Sequence, residues 1–151
     1  MSLTRMLRLA IVVAVVMACG PDSVAPIRGF IYSAATFQCG PADGPATAIY
    51  LAPNPLASGV PSGPFVQVYV PVSLDQLSGH LWTVSEKNSE AAAWFHSITV
   101  DNAMATTGYM IVSSVGADKT IEGSVDLQFP DVGRIKTGFR AKWTQGTVLC
   151  N

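Results

Sequence analysis

Between Arg134 and Trp143 the chain alternates apolar or neutral residues with cations. This alternation limits the fold more than any other feature of the sequence. Ile135, Thr137, Phe139, Ala141 and Trp143 share one side of an extended strand, and Arg134, Lys136, Arg140 and Lys142 share the other. The preceding stretch repeats the pattern, with Ile121, Gly123, Val125, Leu127 and Phe129 inward and Glu122 and Asp126 outward. Pro130-Asp131-Val132-Gly133 supplies the turn between them. Pairing Asp126 with Lys136 and Glu122 with Arg140 places Gly123 beside Phe139, whose ring can cover the missing side chain. The opposite parity would bury four cations, which no core tolerates unpaired.

The rest of the chain from Gly29 reads in the same way, as short runs rich in Val, Ile, Thr and aromatics punctuated by Gly, Pro, Asn and Asp. Strands are expected at 29–39, 47–52, 65–72, 79–85, 92–100, 108–114, 121–129 and 134–143, with a short last one at 146–150. Only Ser73 to Leu77 looks helical, as a single turn capped by Ser73. No stretch places apolar residues at the i, i+3, i+4, i+7 spacing of a packed helix. Regular short strands with turn signals imply an all-β domain. The expected form is an antiparallel β-sandwich, immunoglobulin-like in general form, with a small β-barrel as the alternative. No internal repeat suggests a solenoid or propeller.

Ahead of this domain lies a segment of another kind. MSLTRMLR carries two arginines and no acid, and Leu9 to Ala18 is an unbroken apolar run. That run has the length of a signal-peptide core, whereas crossing a bilayer takes about 20 apolar residues. Pro21 forbids helix continuation past Cys19-Gly20. Val16-Met17-Ala18-Cys19 resembles the lipobox of bacterial lipoproteins. The resemblance covers the leader alone and implies cleavage before Cys19, with diacylglycerol on the Cys19 thiol and an acyl chain on its new amine. Residues 1–18 are then a signal peptide, 19–28 a lipidated tether and 29–151 a single β domain. Gly20 in second place implies, by the sorting habit of Gram-negative lipoproteins, an exported protein held by its lipid at the outer membrane. Two or three acyl chains anchor stably where one would not. With Cys19 acylated, Cys39 and Cys150 remain as an even pair in an oxidising compartment, and a disulfide between them is expected.

Charge and motif content narrow the function by exclusion. Charged residues are 13% and apolar residues 49% of the sequence, so a disordered tail is not its main content. The net charge of −1 becomes −3 without the leader, because Arg5 and Arg8 leave and seven basic and ten acidic residues stay. Such a domain has no global electrostatic reason to hold nucleic acid. The stripe from Arg134 to Lys142 is local, is opposed by Glu122 and Asp126, and has no aromatic interleaved to stack a base. No nucleophile elbow, zinc-protease motif, phosphate-cradling loop or dinucleotide fingerprint occurs; Gly59 to Gly63 places its serine one position late. His96 sits inside the apolar run Trp94 to Ile98, where a half-buried histidine bonded to backbone is expected, and His80 opens a strand and should be exposed. No catalytic residue, metal ligand or cofactor is assigned.

What remains is aromatic. Val66, Val68 and Val70 share one face of their strand, so Phe65 and Tyr69 point the other way, and Tyr50 likewise opposes Ile49 and Leu51. These strands flank the proline- and glycine-rich loop from Pro53 to Pro64. Tyr50, Phe65 and Tyr69, with that loop closing over them, form the expected ligand-binding surface. The expectation is a non-enzymatic envelope lipoprotein, a binding or structural module for a glycan, peptide or other envelope component. The alternatives are a small extracytoplasmic hydrolase and a lipocalin-like carrier of an apolar ligand. Its partners would be the membrane, through the lipid on Cys19, and a glycan or protein ligand, with no nucleic acid. Expressed in a Gram-negative host, the protein should incorporate labelled palmitate and Cys19→Ser should abolish incorporation; equal labelling of the variant would refute the lipid anchor.

Overall fold

The computed structural model describes residues 28–40, 44–56, 61, 63–87, 89–99 and 102–145. The leader with Cys19, the tether as far as residue 27, Cys150 and the expected strand at 146–150 lie outside them. Nine strands form one sheet: β1 (Tyr32–Cys39), β2 (Pro45–Ala52), β3 (Phe65–Val70), β4 (Leu81–Ser85), β5 (Ala92–His96), β6 (Ala103–Met104), β7 (Thr107–Val115), β8 (Thr120–Phe129) and β9 (Gly133–Thr144). Their order across the sheet is β4-β7-β8-β9-β1-β2-β3-β5-β6. Every neighbouring pair is antiparallel except β1 and β9, which run parallel through Ala34–Lys142, Ala35–Trp143 and Thr36–Thr144.

The all-β expectation holds. In place of the two packed antiparallel sheets of an immunoglobulin-like sandwich there is a single mixed sheet, curled into a half-barrel. Its curl brings the two flanks together on one side, where the Glu90 and Ala91 amides both donate to the Thr83 carbonyl, at 3.2 and 3.1 Å. The expected helical turn is a single 3-10 turn over Leu74–Gln76. Ser73 stands at its cap position without bonding a backbone amide; its hydroxyl bonds the Asp75 and Gln76 side chains instead. β6 was not expected from the sequence, because two residues carry no periodicity.

The concave face gathers one continuous core. Val66, Val68 and Val70 of β3 meet Ile49 and Leu51 of β2, Met110 and Val112 of β7, and Val125, Leu127 and Phe129 of β8, all buried. Burying a side chain of this size contributes about 1.5–3 kcal/mol. Phe129, Phe95 and Phe30 form a chain of tilted and edge-on rings 6.1 and 6.3 Å apart. The hairpin of β8 and β9 has the register read from its charges: Asp126 faces Lys136, Glu122 faces Arg140 and Gly123 faces Phe139.

Glycine at 123 is a packing requirement. A Cβ there would overlap the Ile111 carbonyl oxygen and lie 2.7 Å from the Phe139 ring, on a strand whose neighbour β7 shifts register between Val112 and Ser114. The ring fills the space a side chain would occupy, and the shift adds the local twist that curls the sheet. Gly123→Ala should therefore lower unfolding free energy by about 1–3 kcal/mol in urea, the usual cost of overpacking; an unchanged midpoint would show that the close approach is not made.

Candidate functional site

The convex face of the sheet carries the polar and aromatic residues, and β2 explains how they are arranged. All of β2 except Pro45 is buried, on both faces. Its inward residues join the core. Its outward ones are Ala46, Ala48, Tyr50 and Ala52, and the first two are 0% exposed. Side chains from β3 lie across them. The Tyr69 hydroxyl donates to the Cys39 carbonyl at 3.5 Å, and the Gln67 amide donates to the Gln38 side-chain oxygen at 3.1 Å. Both contacts run from β3 over β2 to β1, about 10 Å at ordinary strand spacing. Only a small side chain leaves room for a ring to lie flat there, which accounts for the alanines paired with Tyr69 and Gln38.

Over this floor stands an aromatic layer. Tyr50 meets the Phe65 ring edge-on at 5.9 Å, and Phe65 stacks on the His96 imidazole at 4.4 Å with 17° between planes. Tyr69 meets Trp94 edge-on at 6.4 Å. Register sets these neighbours: Phe65 opposes His96, Gln67 opposes Trp94, and Trp94 opposes Met104 of β6. Phe65, Gln67, Tyr69, Trp94 and His96 are all half-buried, with part of each side chain open to solvent. Burial raises the phenol pKa of both Tyr50 and Tyr69.

Tyr50, Phe65 and Tyr69 share this face, Tyr50 in ring contact with Phe65 and Tyr69 with Trp94, and their exposure is unequal. Tyr50 is only 6% exposed and belongs to the floor. Phe65 and Tyr69 form the accessible layer. Trp94, His96 and Gln67 complete it and were not assigned from sequence: Gln67 shares the outward parity of Phe65 and Tyr69, while Ala91 to Phe95 offers no polar residue to fix which parity faces outward. His96 is half-buried as expected, but its Nε2 is buried with no hydrogen-bond partner among the described residues, as is Nε1 of Trp82. The described start of the 53–64 loop does not cover the rings. Pro55 and Leu56 lie instead on the β1 and β9 side, near Tyr32 and Lys142; residues 57–60 and 62 are outside the described ones.

His80 is half-exposed, with Nε2 at 3.7 Å from Glu90 and its ring 4.3 Å from that of Trp82. Glu90 in turn accepts from the Thr83 amide and hydroxyl, and those bonds hold its carboxyl below the ordinary range. The carboxylate stands between the imidazole and the hydroxyl, so the histidine has no route to activate Thr83 as a nucleophile. Among the described residues no three His, Cys, Asp or Glu side chains converge as metal ligands would.

The cationic stripe on β9 is divided. Arg134 grips Asp126 with two bonds of 2.6 and 2.7 Å, and Lys136 stands 3.4 Å from the same carboxylate. Arg140 pairs with Glu122 at 3.3 Å. Asp126 is only 7% exposed, and the Arg134 bonds draw its pKa below the ordinary carboxylate value. Comparison with known protein families, with curated proteins and with solved structures finds no match to this chain. What the surface can do therefore follows from its own geometry.

A carboxylate with a lowered folded pKa adds stability at pH values above its unfolded pKa, and that stability is lost as pH falls through the folded one. Unfolding free energy should decline from about pH 4 downward. Asp126→Asn should cost about 3 kcal/mol at pH 7 by removing the buried carboxylate that Arg134 and Lys136 share, and should flatten that acid decline. A variant with wild-type stability at pH 7 would show the triad to be incidental.

Proposed function

We propose that this chain is a non-enzymatic lipoprotein of the cell envelope, held by lipid on Cys19, that binds a saccharide chain on the outer face of β2, β3 and β5. The observation that carries the reading is the pair Tyr69 and Trp94, half-buried rings standing beside the Gln67–Gln38 amide pair on rigid strands. Aromatic bodies offer large contact area at low entropic cost, and amides on the same surface hydrogen-bond sugar hydroxyls. Strands hold such groups more firmly than loops do. The buried residues of the concave face form one continuous cluster, which favours a packed interior over the enclosed cavity that a carrier of apolar ligands needs. The His80–Glu90–Thr83 arrangement argues against a hydrolase.

The anchoring and the disulfide belong to the same proposal. A disulfide between Cys39 and Cys150 is its second part. The parallel course of β1 and β9 supports that pairing, because the two strands end, at Cys39 and Thr144, on the same side of the sheet. The lipobox-like leader and Gly20 support export and placement at the outer membrane. There the lipid would tether the domain close to envelope polysaccharide.

On an array of envelope-derived and other glycans, the protein should bind a limited set, with Trp94→Ala and Tyr69→Ala each weakening binding about tenfold, or about 1.4 kcal/mol. Both variants should keep the wild-type unfolding transition to within about 1 kcal/mol, since both rings are partly solvated. Binding to peptides alone, or glycan binding indifferent to both substitutions, would overturn the reading.

A further inference from the structure

The division of the β9 stripe leaves one cation over. Among the described residues Lys142 makes no ion pair, while Arg134, Lys136 and Arg140 all do. Its cross-strand partner on β8 is Thr120, where the other outward cations of the strand meet Gln128, Asp126 and Glu122. Thr120 is itself occupied, its hydroxyl and amide both bound to Asp118.

Lys142 does not face open solvent alone. On the side toward β1 the convex face is hollowed into a groove of about 490 Å³, lined by Tyr32, Ala34, Pro55, Leu56, Arg140 and Lys142 among others. Ala34, the β1 partner of Lys142, is a small and buried member of the lining. Beside the two cations the lining is apolar at Pro55, Leu56 and the 38% exposed Tyr32. The volume is within the range of small-molecule sites. Asp118, bonded to Thr120, is the nearby acid, but it forms no ion pair with Lys142. A cation outside any ion pair beside apolar side chains matches a ligand with one acidic head and one short apolar body.

We infer that this groove is a second binding site, distinct from the aromatic face, for a small amphipathic anion: a phosphate or carboxylate seated between Lys142 and Arg140, its apolar part against Tyr32, Pro55 and Leu56. Arg140 keeps guanidinium hydrogens for the ligand beyond the contact its Nε makes with Glu122. Lys142 supplies the charge that Glu122 does not cancel. The inference does not rest on the glycan reading, since none of the rings of that surface lines the groove.

The test is a titration of isotope-labelled residues 19–151, carrying Cys19→Ser so that no acyl chain competes, with backbone amide shifts as readout. Octyl phosphate and octanoate, each below its micellar concentration, are the two anionic probes and separate a phosphate from a carboxylate preference. Octyl glucoside and inorganic phosphate are the probes lacking, respectively, the charge and the tail. Saturable shifts confined to Ser33, Ala34, Leu56 and their neighbours are expected with at least one anionic probe, and at least tenfold weaker with octyl glucoside and with inorganic phosphate. Lys142→Gln, an exposed and conservative change, should weaken that binding about tenfold, while Trp94→Ala leaves it unchanged. Equal binding of octyl glucoside, equal binding of inorganic phosphate, shifts spread over the whole surface, or indifference to Lys142→Gln would each overturn the assignment.

Discussion

The parallel pairing of β1 with β9 is the contact on which the rest of the structure depends. It spans only three residue pairs, and parallel ladders are slightly weaker per residue than antiparallel ones. Side chains reinforce it. The Thr36 hydroxyl donates to the Thr144 carbonyl at 3.0 Å and the Thr144 hydroxyl to the Ala35 carbonyl at 3.1 Å, two bonds more than 100 residues apart in sequence. On one side of this seam stand β4, β7, β8 and β9; on the other stand β1, β2, β3, β5 and β6. Without it the same strands would make two antiparallel sheets. The seam therefore turns a sandwich-like set of strands into one curled sheet and makes its convex face continuous from the β9 cations to the β5 rings.

That difference explains what could be read from the amino acids and what could not. The β8–β9 register was legible because one parity buries four cations and the other does not, a contrast too large for packing to reverse. The outward direction of Phe65, Tyr69 and Tyr50 was legible because valines and aliphatics filled the opposite parity. The seam was not, because Tyr32 to Cys39 mixes small, polar and aromatic residues on both parities and gives no sign of which strand lies alongside. Trp94 and His96 were missed for a related reason: an all-apolar run has two equally good faces until its neighbours are known. The alanines of β2 carry no message alone; they make sense once Tyr69 is seen lying across them.

The convex face then divides by charge and by ring. At the far end of β9 the cations Arg134 and Lys136 share one buried carboxylate, which cancels half of their charge. Lys142 and Arg140 open onto a groove toward the centre. Beyond the buried alanines and Tyr50 the surface becomes aromatic, from Tyr69 and Trp94 to the Phe65–His96 stack. The two zones lie on the same rigid sheet on either side of β2. A ligand with sugar rings and an acidic substituent, or two separate ligands, would meet complementary surfaces there.

The Tyr69 and Trp94 rings on β3 and β5 reach solvent, while Tyr50 on the floor is buried. Photochemically induced nuclear polarisation reads the solvent access of Tyr, Trp and His rings one by one in the folded protein. Tyr69 and Trp94 should polarise, Tyr50 and Trp82 should remain silent, and the Trp94 signal should fade when a bound saccharide covers it. A silent Trp94 and Tyr69 in the free protein would contradict the account, for it would mean that the aromatic layer is simply a second buried core.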